Sequence, residues 1–329
     1  MKETPRERPA VFLHGGWRCA STYVWSRFRE LSSTACFFEP FDERLARCTP
    51  RRIRRDTAGS WESRHPLLRA PYRQEYLPLL RLGLKGVRGY RERFALARYF
   101  VPQGRVQPEV MYLSRLLRRA RADGNQAVLG FSRSLARAAA LKDSMGGYHI
   151  VVRRKPLQQW LSFRSYRERL PLQYFELCHF LVLAIAPADS PAARFARHLG
   201  LPRPPRLVGG LQRQLRSLHA ALYPWSDELS YRAFMAVSLL SHSAAAPAAD
   251  LMLDVDRLGR STGYREAVRA KISADTGLEL DFSDCKPPNH DPASIAVNFA
   301  ALEEEVRNLL DDFGAELDAT VLPARAAGR

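Results

Sequence analysis

Short apolar runs alternate along this chain with longer stretches in which apolar positions recur every three or four residues. Ala10-Val11-Phe12-Leu13-His14 follows a polar tail and stops at Gly15-Gly16, the pattern of a buried strand ending at a glycine turn. From Ser21 the spacing changes: Tyr23, Val24, Trp25, Phe28 and Leu31 share one helical face, with Ser21 or Thr22 as the expected cap. Ala35-Cys36-Phe37-Phe38 predicts a second strand, ending at Glu39-Pro40. Further strands are predicted over 126–131, 148–152 and 250–255. Helices are predicted over 109–121, 135–142, 156–166, 211–223, 230–240, 264–276 and 295–313.

Strands that alternate with helices predict an α/β fold, a three-layer sandwich about a central parallel sheet. The expected organisation is a single domain over 1–329. Within it, 44–106 reads as a helical insertion or lid, rich in Arg, Pro and aromatics. It carries the cluster Arg51-Arg52-Ile53-Arg54-Arg55 and an expected helix over 76–82. The residues 323–329 read as a frayed tail. Ligands of such sheets bind beyond the strand C-termini, so 14–22, Glu39, 131–133 and 153–154 are expected to gather at one edge.

Composition narrows the class. With 329 residues and 46% apolar content the chain can build a sizeable core. Its net charge of +17 fits either solvated arginine-rich helix faces or an anionic ligand. The five cysteines are scattered without a CxxC, which argues for reduced thiols and against a zinc site or disulfide framework. The first eight residues are polar, with no apolar signal core after them. The longest apolar run, 177–186, is far short of the roughly 20 residues of a spanning helix. A cytoplasmic location follows as the expectation, with peripheral membrane association allowed by the basic surface.

Two segments carry candidate anion chemistry. His14-Gly15-Gly16-Trp17-Arg18-Cys19-Ala20-Ser21-Thr22 joins strand to helix, which aims backbone N–H groups and a helix N-terminus at an anion. Arg18 adds a full charge, and Ser21 and Thr22 add hydroxyls. The loop is not a Walker A sequence: Ala20 precedes Ser21-Thr22, and the cation lies inside the loop. The alternative is an ordinary glycine turn. The second segment is Arg153-Arg154-Lys155-Pro156 with Ser162, about two helical turns beyond a helix start at Pro156. Arg154 and Ser162 can then share one phosphate; the alternative is a solvated basic turn.

The two segments together resemble the PAPS-dependent sulfotransferases, in particular bacterial members. Trp17-Arg18-Cys19-Ala20-Ser21-Thr22-Tyr23 is similar to their 5'-phosphosulfate loop. Arg154-Lys155-Pro156 with Ser162 is similar to their 3'-phosphate motif, Arg-x-Pro followed eight residues after the Arg by Ser. The "LDVDRL" of 253–258 resembles a late strand and turn of the family. Arg18 stands where many cytosolic members carry Lys, and the late "RRGxxGxW" motif is missing. The resemblance implies a P-loop-like fold. It also implies 3'-phosphoadenylyl sulfate (PAPS) as co-substrate, adenosine 3',5'-bisphosphate as product and no metal. In-line transfer of a sulfuryl group to an acceptor hydroxyl would follow. Trp17 to Thr22, Arg154 and Ser162 would hold the co-substrate, with Arg18 also catalytic.

Such a reaction needs a general base. Glu39 is the first choice, at a strand end among Phe37, Phe38 and Phe41. Asp42 and Glu43 are rivals from the same loop, and His14 is adjacent. Arg133 is a further edge cation, facing either ligand or solvent. A P-loop kinase-like protein is one competing reading, though the GK[ST] ending is missing. A basic nucleic-acid-binding protein is another, though no helix-turn-helix, zinc or RNP signature occurs. The acceptor stays open among carbohydrate, lipid-linked sugar, peptide tyrosine and small hydroxyl compounds, with an anionic or membrane-associated one suggested by the basic surface. The oligomeric state is not legible in the sequence.

Overall fold

The structure, a computed structural model, describes residues 8–56, 68–101, 105–167, 173–204, 210–287, 289–292 and 295–320. The tail expected over 323–329 lies outside the described residues. Among the described residues five strands form one sheet: β1 (Val11–His14), β2 (Thr34–Phe38), β3 (Gln126–Phe131), β4 (Tyr148–Arg153) and β5 (Leu251–Asp254). All four pairings are parallel, in the order β2-β3-β1-β4-β5. The fold is α/β, with helices on both faces of the sheet.

Both faces are covered, which is why the strands read as near-continuous apolar runs. Side chains of a strand alternate between faces. Val11 and Leu13 of β1 pack with Val24, Trp25 and Phe28 of α1 (Ser21–Arg29), and with Val268 and Ile272 of α11 (Thr262–Thr276). Phe12 packs oppositely, with Tyr112, Leu113 and Leu116 of α3 (Gln107–Ala122) and Leu141 of α4 (Ala138–Met145). Each such side chain is fully buried, and burial of that kind is worth about 1.5–3 kcal/mol apiece. A further cluster joins Trp160 of α5 (Pro156–Arg164), Phe180 of α6 (Tyr174–Ala184), Phe234 of α9 (Asp227–Ala245) and Val306 of α12 (Phe299–Asp312).

Strand order positions the site. The chain leaves β1 for β2 on one side and leaves β4 for β5 on the other, although β1 and β4 are neighbours. Connections that diverge from adjacent strands open a crevice at their C-terminal ends. The loop after β1 and the turn after β4 are its walls.

Several elements differ from the sequence expectation. Neither Ser21 nor Thr22 caps α1; the cap position is Ala20, in left-handed backbone with no side-chain cap. The expected helix over 76–82 is a 3-10 segment, Gln74–Leu79, because Pro78 inside it removes a donor. The 135–142 helix begins as a 3-10 turn and becomes α4 at Ala138. The apolar run at 177–186 is largely α6, buried on all sides and so without the amphipathic rhythm that marks a helix. Two short helices, α2 (Pro50–Arg55) and α7 (Pro191–His198), were not expected: α2 spans too few residues to show a period, and the amphipathic period of α7, with Ala192, Ala193, Phe195 and Ala196 buried, was overlooked. Helix α9 begins earlier than expected because Ser226 caps it. Helix α12 begins later, at the Asn298 cap. Short helices α8 (Gly210–Leu222) and α10 (Val255–Arg260) complete the set named here. Among the described residues no helix is long and apolar enough to cross a membrane.

Candidate active site

The β1–α1 loop is tightly built. A Cβ on Gly15 would lie 2.6 Å from Cys19 Sγ, and one on Gly16 would lie 2.8 Å from Gln159 Nε2. Gln159 of α5 also donates to the Trp17 carbonyl at 2.8 Å. Arg18 and Ala20 both hold positive φ, 66° and 67°. Left-handed backbone costs an L-residue with a side chain roughly 1–2 kcal/mol, so tertiary contacts must hold it. Trp17 supplies one such contact: it is buried, stacks on Tyr99 and meets the edge of His179. Helix α1 therefore starts with no side-chain cap and no acidic residue in its first turn. Its first-turn N–H groups face the crevice end of the sheet, the arrangement that suits an anion. Ser21 is buried and engages Cys19, whose thiol burial pushes up and keeps protonated. Thr22 is half-buried.

The turn after β4 meets this loop. Arg18 donates from Nε to Ser162 Oγ at 3.3 Å and from Nη2 to the Tyr166 hydroxyl at 3.2 Å. Its guanidinium lies 4.6 Å from the Tyr166 ring centroid. Arg154, buried, donates to the Arg18 carbonyl at 3.5 Å and pairs with Asp256 at 3.8 Å. Asp256 also accepts from the Lys155 N–H at 2.7 Å, which fixes the turn. Two cations, a helix N-terminus and two hydroxyls (Ser162, Tyr166) thus share one crevice. That donor set suits an anionic ligand.

Glu39 directly follows β2, with φ 50°. Its Oε2 accepts three hydrogen bonds: Ser132 N–H at 3.0 Å, Ser132 Oγ at 2.8 Å and Arg133 Nη1 at 3.1 Å. Among the described residues Oε1 has no donor. Burial raises the carboxyl pKa above its ordinary value, and Arg133 and the Ser132 donors only partly offset that. Arg133 faces neither solvent nor open space. It is buried, bridges Glu39 to Glu43 at 3.1 Å each, contacts Tyr174 at 2.9 Å and sits 5.8 Å from the Trp17 ring. One guanidinium thus links the carboxylate to the anion loop.

The rival bases are differently engaged. Burial pushes Asp42 up, but Arg44, Arg73 and Arg133 overcome this and hold it far below the carboxylate range. Such a group is too weak a base for proton abstraction. Glu43 is tied up by Arg133 and by the Tyr174 hydroxyl at 2.6 Å. His14 is buried in the sheet, bonded to Ser134 at 2.7 Å and to His149 at 3.0 Å. His149 Nε2 must donate to the Gly146 carbonyl, so its Nδ1 accepts from His14, and His14 Nδ1 accepts from Ser134. Desolvation lowers both imidazoles, His149 to about 4, which keeps this chain neutral and structural.

Beyond Glu43 opens a cavity of about 420 Å³. Its lining is mixed but mainly basic: Arg44, Arg47, Arg52, Arg55 and Arg73, with Glu43, Asp56 and Glu92. Arg73 and Arg44 are taken up by Asp42, and Arg73 also by Asp56. Arg47, Arg52 and Arg55 have no carboxylate partner among the described residues.

Comparison with known proteins adds little. No protein-family profile matches the sequence. No curated protein matches it. Among solved structures it aligns with the sulfotransferase domain from the Synechococcus PCC 7002 olefin synthase, at 15% identity and a TM-score of 0.38. The alignment covers 96% of this chain and 99% of that one. Likeness at that level assigns neither family nor activity.

Of the residues singled out in the sequence, Arg18, Arg154 and Ser162 meet in the crevice, while Trp17 and Cys19 turn their side chains into the core. Glu39 lies at the next strand end but one, joined to them through Arg133. Sequence reasoning missed Tyr166 and Gln159, which lie four residues after and three before Ser162. Helical spacing from Ser162 would have found both. It also missed Tyr174, for which no local signal exists.

Proposed function

We propose that this protein moves a sulfuryl group from PAPS to an acceptor hydroxyl. The observation that supports this reading is the meeting of the two candidate anion segments: Arg18 of one bonds Ser162 of the other, and Arg154 reaches back to Arg18. A ligand with one phosphate needs one such segment; a 3',5'-bisphosphate needs two. In this reading Arg18, loop N–H groups of 17–22 other than that of Cys19, which bonds the Gly16 carbonyl, and the α1 N-terminus hold the 5' side, and Arg154 and Ser162 hold the 3'-phosphate. Bound PAPS supplies an activated sulfuryl group. Arg18 and the loop N–H groups stabilise the charge left on the departing phosphate oxygen as its bond to sulfur breaks. Glu39 Oε1 takes the acceptor proton as the new O–S bond forms. The arginine cavity beside Glu43 supports an acceptor that itself carries an anionic group.

Isothermal titration with adenosine 3',5'-bisphosphate, ATP and 5'-AMP, without magnesium, tests this. The bisphosphate should bind best, and Arg154→Ala should weaken it about 10- to 100-fold through loss of a charge-assisted contact. Equal binding of ATP, or none of the bisphosphate, would overturn the reading. Hydroxyl acceptors offered in matched pairs, with and without a phosphate or sulfate, then test the cavity. Equal rates within each pair would remove anion recognition from it.

A further inference from the structure

Between Leu80 and Val87 the chain folds back on itself in an antiparallel bridge. Arg81 N–H donates to Gly86 at 3.0 Å and Arg88 N–H to Leu79 at 2.9 Å, closing a short hairpin. Its base is fixed in the core: Leu80 and Val87 are buried, Gly86 N–H bonds the Cys48 carbonyl at 2.8 Å, and Val87 N–H bonds Leu45 at 3.0 Å. A Cβ on Gly86 would lie 2.5 Å from the Ala46 carbonyl oxygen, so this close docking requires glycine. Gly83, at φ 67°, turns the tip. The side chains on either side of it are Leu82, 86% exposed, and Leu84, 70% exposed. They are the most exposed large apolar side chains among the described residues.

Single exposed leucines are ordinary, but two on a rigidly based convex tip have no folding purpose. Their surroundings are cationic. Residues 81–91 contain Arg81, Lys85, Arg88 and Arg91 and no acid, all four cations being exposed. The hairpin base also joins the 44–55 segment, which bears the Arg51–Arg55 cluster. We infer that the Leu82/Leu84 tip docks this protein on a bilayer rich in anionic lipid. The two leucines enter the headgroup–acyl boundary, and the surrounding cations meet lipid phosphates. A convex tip favours a bilayer over a protein, since a protein partner must supply a matching hollow whereas lipid parts around it. This inference does not depend on the sulfotransferase reading.

Flotation with POPC:POPG 3:1 vesicles, and with POPC alone, provides the test. The wild-type chain should float with the anionic vesicles. The Leu82→Ser/Leu84→Ser variant should bind at least about tenfold more weakly, since two partly inserted leucines contribute that much or more. Its thermal melt should be unchanged, both side chains being exposed. An NBD fluorophore on a Leu84→Cys thiol, the native cysteines being buried, should shift to the blue on vesicle binding. Absence of wild-type binding would overturn the inference. Equal binding of the double-serine variant would do so too, by assigning the effect to net charge alone. An NBD signal that does not move, or a leucine-dependent dimer in place of flotation, would also overturn it.

Discussion

Glu39 is subject to two opposed influences. Three donors on Oε2 favour the ionised form, while burial favours the neutral one, and burial prevails. A proton acceptor must be ionised, so kcat/KM should rise with pH through a folded-state pKa above the ordinary carboxylate value of 4.5. The sign for stability is opposite: a raised folded pKa favours the protonated native state, so this term is lost as pH climbs through the same range. Glu39→Gln should lower turnover about 10²- to 10⁴-fold. Binding of the bisphosphate, followed by titration calorimetry, should persist. Undiminished turnover would take Glu39 out of the mechanism. Arg18, Arg154 and Ser162 were legible because each segment announces itself locally, in a strand-to-helix loop and a two-turn spacing. The role of Arg133 was not, because Glu39 reaches it only through the pairing of β2 with β3, across 94 positions of chain.

At the scale of elements, the parallel strands were the most legible parts, since both faces are buried and their apolar runs end at glycine, proline or charge. Helices with one wet face were next. Helix α6 was missed because nothing polar interrupts it regularly. The contact between α1 and β3 was also invisible, although one residue holds its signature. A Cβ on Gly130 would fall 2.5 Å from Trp25 Cδ1, so this strand glycine sets how closely helix and sheet approach. Gly130→Ala should therefore destabilise the fold by about 1–3 kcal/mol through overpacking. Urea unfolding monitored by circular dichroism reads this directly. A variant as stable as the parent would mean that Trp25 has room to retreat.

For the whole molecule, alternation of elements predicted a parallel sheet but not its order. That order depends on which apolar faces meet across long separations, and it alone brings β1 beside β4. The surplus of +17 was legible as a number, not as a cavity and a tip. The left-handed residues Arg18, Ala20 and Glu39, three of the four such non-glycine positions described, all sit at the same sheet edge. Their consequence lies in time rather than in space. A loop already held in its costly shape has no search left to perform when a ligand arrives. Stopped-flow tryptophan fluorescence with adenosine 3',5'-bisphosphate should thus show one phase whose rate grows linearly with concentration. A slower phase that levels off would reveal a loop that still has to find its form. On the proposed reading, with the loop set in advance, the tempo of capture would belong to diffusion and to the attraction between a cationic crevice and an anion.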